Sequence, residues 1–253
     1  TATTEIYTLS LHDALPIFNN FIHNRPAVGA TLAPIATFIG MYGASTAGQI
    51  LFQAYFKNAK ISGLVGMISY FGVFIFSPFV SRIVKRFGKK EAVTFGSVVC
   101  ALAYVLMLVL PITPDSRGLG LYVLCQVIAM LGGGIGSCLS WSLMADAIDY
   151  NEWKFGVREE GTTYALHSFF RKLAQGIGPS LGLVLATKLG YDASLKAAQT
   201  IEVATRMRYL VPVMYLGSYI VMIIAYGVVF NLDKKTLAQM ESDLKERRAK
   251  NEK

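Results

Sequence analysis

Three acidic side chains follow one another at helical spacing near the middle of the chain. Asp146, Asp149 and Glu152 lie in the segment SLMADAIDYNEW, directly after a stretch without charged residues that runs from Gly118 to Ala145. Residues three apart lie on the same face of a helix, so the three carboxylates would form one acidic stripe. Such a stripe could hold a cation with a diphosphate, pair with basic side chains as a latch, or be the solvated end of a helix.

A catalytic diphosphate site is the alternative with the sharpest motif. Asp146 and Asp149 match the DxxD by which membrane prenyltransferases hold Mg²⁺, a hard cation that prefers oxygen ligands. Such enzymes generally need a second acidic cluster, and no other connection between the apolar segments supplies one. Lys154 and Arg158 stand nearby and suit salt bridges. The sequence therefore favours a latch over an enzyme, and it predicts neither a catalytic residue nor a metal site.

Polar side chains inside an apolar segment form a second candidate site. On one helix, Ser168, Lys172 and Gln175 would share a face, with His167 on a neighbouring stripe. A lysine deep in a membrane costs about 3 kcal/mol to insert, so it should face a bundle interior and an acidic partner. No acid in the other apolar segments lies at comparable depth, which predicts that this partner lies outside the present chain. Arg171 could instead be a packing or gate residue.

Trp141, Gln49 and Gln53 complete the predicted pocket. An aromatic ring that faces a wet cavity suits the apolar face of a sugar, and two amides on one helix face suit a polyhydroxylated substrate. The alternatives are a tryptophan anchored at the membrane interface and amides that join neighbouring helices.

Apolar helices are the elements on which the sequence places these side chains. Of the 253 residues, 53% are hydrophobic and 16% are charged, whereas a soluble domain carries roughly 25% charged residues. Five stretches free of Asp, Glu, Lys and Arg reach the ~20 residues that span a bilayer, and a sixth carries only Arg171 and Lys172. We predict an all-α membrane protein with six transmembrane helices, over about 29–56, 61–81, 92–114, 119–145, 162–187 and 209–232.

Basic residues predict the orientation. Six spans place both ends on one side, and the connection SRIVKRFGKKE and the tail after Leu232 concentrate Lys and Arg there. By the positive-inside rule we predict that both ends are cytoplasmic. We expect the chain to lie in the cell (inner) membrane. The tail over 233–253 carries charges of both signs, and we expect a short, solvated helix.

Residues 1–17 are set aside. TATTEIYTLSLHDALPI lacks the basic start of a signal peptide and resembles a translated sequencing adapter. The remaining chain would then be a gene fragment whose preceding part is missing.

One long stretch resembles a known family. MADAIDYNEWKFGVREEGTTYALHSFFRKLAQGIGPSLG, residues 144–182, resembles the signature of the glycoside–pentoside–hexuronide:cation symporters, relatives of melibiose permease in the major facilitator superfamily. The connection RFGKK resembles the loop between the eighth and ninth helices of that family. The resemblance implies that residues 18–232 form the C-terminal half of a twelve-helix major facilitator fold.

The resemblance also implies roles for single residues. Lys172 matches a lysine near the cation and sugar pocket, whereas His167 and Ser168 stand where melibiose carriers have Gln-Thr, so substrate choice does not carry over. The cation-binding acids of the family lie in the half that is missing here, and the coupling ion, Na⁺ or H⁺, stays open. The residues implied for a cytoplasmic gate are Asp146, Asp149, Glu152, Arg158, Glu160 and Arg86.

We therefore predict a secondary active transporter that carries a glycoside, pentoside or hexuronide together with a cation by alternating access. Its expected partners are the sugar, the cation, the bilayer and the missing N-terminal half, without a cofactor or nucleic acid. The alternatives are a facilitator-type carrier of another solute such as a lipid and, with less support, the DxxD prenyltransferase.

Overall fold

The computed structural model describes residues 19–251, apart from the side chains of residues 68–70 and 251. Within that part the chain is helical and contains no strand. Residues 1–17, which the sequence predicts to be an adapter-derived artefact, lie outside the described residues. After a helical turn over 19–23, the α-helices are α1 (Arg25–Ala54), α2 (Ala59–Phe76), α3 (Val80–Phe87), α4 (Lys89–Val109), α5 (Ser116–Phe155), α6 (Glu160–Lys188), α7 (Ile201–Ile224) and α8 (Lys234–Asn251).

Among residues 19–251, five helices are long and apolar enough to cross a membrane: α1, α2, α4, α5, and α7 with the π-helical turn Ala225–Val229 that continues it. This part of the chain is therefore all-helical, as expected of a membrane protein. α6 has 29 residues, which is sufficient length, but its charged side chains lower its hydropathy. The span predicted over 162–187, the fifth in chain order, stays a prediction.

The predicted spans differ in their boundaries from the helices of the structure, and two of these differences bear on the acidic segment. The second, over 61–81, ends at Phe76, where the chain turns into the short basic helix α3. The fourth, over 119–145, continues to Phe155, which gives α5 40 residues and a length of about 60 Å, twice the hydrocarbon core. Gly156 ends α5 with a φ of 74°, a left-handed conformation that favours glycine. The acidic segment is thus a rigid extension of a membrane helix.

Glycines set the closest helix contacts. α4 packs against α5, and α1 packs against α6 and α7. A Cβ at Gly96 of α4 would lie 2.5 Å from the carbonyl oxygen of Gly132 in α5, and a Cβ at Gly132 would collide with the Gly96 carbonyl in return. Gly43 of α1 and Gly182 of α6 approach each other in the same way. Small residues at such positions let backbones touch, which strengthens dispersion contacts between membrane helices.

The tail helix α8 is packed rather than solvated. Met240 and Leu244 are 0% and 3% exposed, and they join a core cluster that includes Leu143 and Met144 of α5. Leu237, Met240 and Leu244 are spaced by three and four residues, so they form one apolar stripe on a helix that is otherwise highly charged. The expectation of a solvated tail overlooked this stripe because the average composition of the tail is polar.

Candidate functional site

A network of ion pairs surrounds the acidic end of α5. Nη1 of Arg158 lies 2.6 Å from Oδ1 of Asp149 and 2.8 Å from Oε2 of Glu152, and Nε of Arg158 lies 3.5 Å from Oε2 of Glu160. Arg158 belongs to the connection that follows α5, so the chain folds back on its own acids. The structure therefore brings together four of the six residues predicted for a gate.

A second arginine reaches the same acids from α8. Arg248 donates from Nε to Oε1 of Glu152 at 3.1 Å and from Nη2 to Oε2 at 2.6 Å, which is a bidentate pair. Its Nη2 also lies 3.3 Å from Oδ1 of Asp149. Two carboxylates are thus held between two guanidinium groups, and we call Asp149, Glu152, Arg158 and Arg248 the charge network.

Both arginines donate hydrogen bonds to Glu152. These bonds raise the pKa of Arg158 and of Arg248 above the usual range of an arginine, because they stabilise the charged form of each guanidinium. The two arginine side chains are 42% and 48% exposed. Exposed pairs contribute only about 0–1 kcal/mol each because water screens them. The network can therefore form and break at small cost, which suits a latch.

Asp146 belongs to a separate ion pair. Nζ of Lys89, the first residue of α4, lies 2.7 and 2.8 Å from the two carboxylate oxygens of Asp146, and the Asp146 side chain is only 10% exposed. Arg86, predicted for the gate, makes no ion pair within residues 19–251; its guanidinium lies 5.2 Å from the ring centre of Phe87. Gly88, with a φ of 100°, lies between Arg86 and the start of α4.

Further contacts tie α8 to the membrane helices. Nε1 of Trp153 donates to Oδ2 of Asp243 at 2.9 Å, and Nη1 of Arg247 donates to the carbonyl oxygen of Trp153 at 3.0 Å. Nζ of Lys234 donates to the carbonyl oxygen of Lys85 at 2.6 Å, at the end of α3. Sequence reasoning missed this docking, although Arg248 continues the apolar stripe of α8 by four residues and so lies on its packed face.

Replacement of Met240 by alanine should undock α8. The side chain is fully buried, so its truncation should cost about 2 kcal/mol of docking free energy. Hydrogen exchange of the α8 amides should then become roughly 30-fold faster. Gln239→Ala is the matched control, because Gln239 is the exposed neighbour of Met240, and it should leave the exchange rate unchanged. Equal protection of α8 in both variants would contradict the packed position of the tail.

A cavity of about 370 Å³ lies among the membrane helices, bounded mainly by α1, α5 and α7. This volume falls within the range of small-molecule sites, which are largely apolar with a few polar groups. The aromatic residues of its wall are Phe38, Tyr104, Trp141, Tyr215, Tyr219 and Tyr226. The hydrogen-bonding and charged residues of its wall are Thr37, Gln126, Ser137, Ser140, Ser218 and Arg171. We call this space the central cavity.

The residues predicted for a pocket separate into two groups. Trp141 lines the central cavity. The ring of His167 packs edge-on against the ring of Trp141, with 5.6 Å between the ring centres, and Nδ1 of His167 lies 3.2 Å from Oγ1 of Thr31. The other predicted pocket residues do not line the central cavity, and each is exposed or partly exposed: Gln49, Gln53, Ser168, Lys172 and Gln175. Lys172 is exposed rather than held among the packed helices of this chain, and an acidic partner for it outside the chain stays a prediction.

Arg171, which the sequence left as a packing or gate residue, lines the central cavity instead of Lys172. Its Cζ lies 5.0 Å from the ring centre of Trp141 and 5.5 Å from that of Phe38. Its Nε is buried without a hydrogen-bond partner in the described part of the chain. Gly178 and Gly182 could have located it, because they contact α1 and lie seven and eleven residues further along the same face of α6.

Comparison with known proteins gives the context of these two sites. The family described as MFS/sugar transport protein matches residues 13–234. The uncharacterized symporter YjmB of Bacillus subtilis is 29% identical over 230 residues, which cover 90% of this chain and 48% of that protein. The glucuronide carrier protein homolog of Escherichia coli is 31% identical over 73% of this chain and 39% of its own length. The isoprimeverose transporter of Lactiplantibacillus pentosus is 33% identical over 62% of this chain and 32% of its own length.

The chain spans about half the length of the curated relatives that match most of it. The resemblance to sugar symporters of the major facilitator superfamily is confirmed by the family match and by the names of these relatives. They are transporters, which agrees with the prediction that the chain is not an enzyme. The chain belongs to the MFS/sugar transport protein family.

Proposed function

We propose that residues 18–232 are the C-terminal six-helix half of a sugar:cation symporter that works by alternating access. The observation that carries the proposal is the central cavity, whose wall combines aromatic rings with hydroxyl and amide groups inside a bundle of membrane helices. Aromatic faces suit the apolar face of a sugar ring, and the polar groups suit its hydroxyls. A glucuronide carrier homolog and an isoprimeverose transporter among the relatives support a sugar substrate.

This assignment also implies where the coupling cation binds and how the chain is oriented in the membrane. The missing N-terminal half would complete the transport path, and it would bind most of the coupling cation, Na⁺ or H⁺. Both ends of residues 18–232 and the tail 233–253 would lie in the cytoplasm, because Lys and Arg concentrate at the ends of α3 and α5 and on α8. The complete protein would reside in the cell membrane of a bacterium.

The charge network would act as a cytoplasmic latch. Alternating access needs two states of similar free energy, and a substrate shifts their populations by binding one of them better. Exposed ion pairs each contribute a small free energy, and they can form in one state and break in the other. Asp149 and Glu152 would therefore favour one state by pairing with arginines, and would release it when those arginines separate.

The replacement Asp149→Asn in the complete carrier tests the latch. We expect the sugar uptake rate to change about fivefold, because the loss of two ion pairs shifts the balance between states by about 1 kcal/mol. The cation concentration for half-maximal uptake should stay unchanged. Glu202→Gln removes another exposed carboxylate paired with an arginine, at the start of α7, and should leave the uptake rate unaltered. A loss of cation affinity with an unchanged rate would refute the latch.

An uptake panel tests the transport proposal itself. The complete carrier in proteoliposomes would be offered glycosides, pentosides and uronides, with and without a Na⁺ or H⁺ gradient. We expect saturable uptake of at least one class that accumulates only when the gradient is present. Uptake that merely equilibrates would instead identify a facilitator, and uptake of lipid but no sugar would identify another kind of carrier.

A further inference from the structure

Arg171 is the one charged side chain among the residues of the described chain that line the central cavity. Its guanidinium lies near the ring centres of Trp141 and Phe38, within 5.0 and 5.5 Å. Cation–π contacts of this kind attract the positive charge to the rings. The five N–H donors of a guanidinium lie in one plane and form a fork, which can bind an oxyanion in a bidentate manner.

No acidic side chain within residues 19–251 forms an ion pair with Arg171. The structure records neither a hydrogen bond nor an ion pair of Arg171 in that part, and its Nε is buried without a partner. His167, one turn earlier, has its Nδ1 against the hydroxyl of Thr31 and carries no negative charge to offer. A cation placed deep among membrane helices without an anion is costly, and such residues mark substrate or ion pathways.

The other groups in the cavity wall suit the remainder of a sugar. Ser137 and Ser140 precede Trp141 on α5 by about one turn or less, and Gln126 lies nearer the start of the same helix. Hydroxyl and amide groups can donate to and accept from sugar hydroxyls. An arginine that is held by rings and surrounded by such groups matches a ligand with one oxyanion and several hydroxyls.

We propose that the central cavity selects sugar acids over neutral sugars, and that Arg171 binds the carboxylate of the substrate. The inference rests on the proposed transport function and narrows its substrate class. An arginine and a carboxylate would form the two parallel N–H···O bonds that make such pairs strong and specific. A neutral sugar would leave the arginine unpaired, which is the basis of discrimination.

The test compares two probes that share a ring and differ at carbon 6. Glucuronate carries a carboxylate there and glucose a hydroxymethyl group. Uptake by the complete carrier in proteoliposomes, and equilibrium binding to the purified carrier, would be measured with both. We expect glucuronate to be preferred, and Arg171→Gln to weaken glucuronate binding about 10- to 100-fold with little effect on glucose. Arg171→Lys should retain part of the preference, because it keeps the charge but loses the planar fork.

Arg206→Gln is the matched control. Arg206 is exposed at the start of α7 and pairs with Glu202, so its replacement should change the binding and uptake of neither sugar. If a folded Arg171→Gln carrier lost binding of glucuronate and of glucose to the same extent, Arg171 would have a structural role, paired with an acid of the other half. That result would overturn the proposal. Equal transport of both sugars by the wild type would overturn it while the transport function stands. Arg171-dependent binding of glucuronate without uptake would support the sugar-acid site and overturn the transport proposal.

Discussion

Replacement of Lys89 by methionine should lower the free energy of unfolding of the complete carrier by about 3 kcal/mol. The reason is Asp146, whose side chain is 10% exposed and whose two oxygens both lie within 2.8 Å of Lys89 Nζ. Methionine fills much the same volume but leaves a carboxylate buried without a partner. The midpoint of thermal unfolding in detergent would report the loss.

Two further variants separate the ion pair from the volume of the side chain. Lys89→Met combined with Asp146→Leu should restore most of the lost stability, because an apolar pair of similar size replaces a buried ion pair at little cost. Lys90→Met changes the next residue of α4, which makes no ion pair in the described part of the chain, and should have little effect. A double variant no more stable than Lys89→Met would show that Asp146 does not depend on Lys89.

This ion pair illustrates what helical spacing can and cannot predict. The three-residue spacing of Asp146, Asp149 and Glu152 places them on one side of α5, and the structure forms one continuous helix through all three. Spacing does not reveal which neighbours approach that side. α4 supplies Lys89 to Asp146, whereas α8 and the connection after α5 supply arginines to the other two acids, and these partners depend on tertiary packing.

The rotation of α6 shows a second limit. Arg171 and Lys172 are adjacent in sequence, so they point about 100° apart around a helix. Apolar residues surround both of them, and composition therefore cannot decide which one faces the central cavity. The packing of Gly178 and Gly182 against α1 fixes the rotation and turns Arg171 toward Trp141. Composition and pattern predict the helices themselves because the bilayer demands long apolar segments.

The charge network shows how a polar segment can hide a tertiary contact. The tail is rich in charged residues, and its average polarity predicts a solvated helix. Docking needs only a narrow apolar stripe, which Leu237, Met240 and Leu244 provide, and it places Arg248 beside Glu152. The segment average therefore hides a pattern that a count along one helix face would reveal.

Replacement of Gly132 by valine should have the second large effect, because it separates α4 from α5. A Cβ at Gly132 would meet the Gly96 carbonyl oxygen and lie 2.8 Å from Sγ of Cys100. Backbone atoms of two packed helices cannot turn aside as a side chain can, so we expect a loss of about 3 kcal/mol in the free energy of unfolding. Gly120→Val makes the same change in the same helix where a Cβ would meet nothing within 4 Å, and it should leave the unfolding midpoint unchanged.

The same substitution should also abolish most sugar uptake at temperatures where the variant remains folded. α5 carries Trp141 in the wall of the central cavity and Glu152 in the charge network, so a displacement of this helix alters both sites together. Sugar binding and uptake should therefore fall in parallel, whereas Asp149→Asn should change the uptake rate alone. Normal uptake by a destabilised Gly132→Val carrier would show that the spacing of α4 and α5 does not set the geometry of either site.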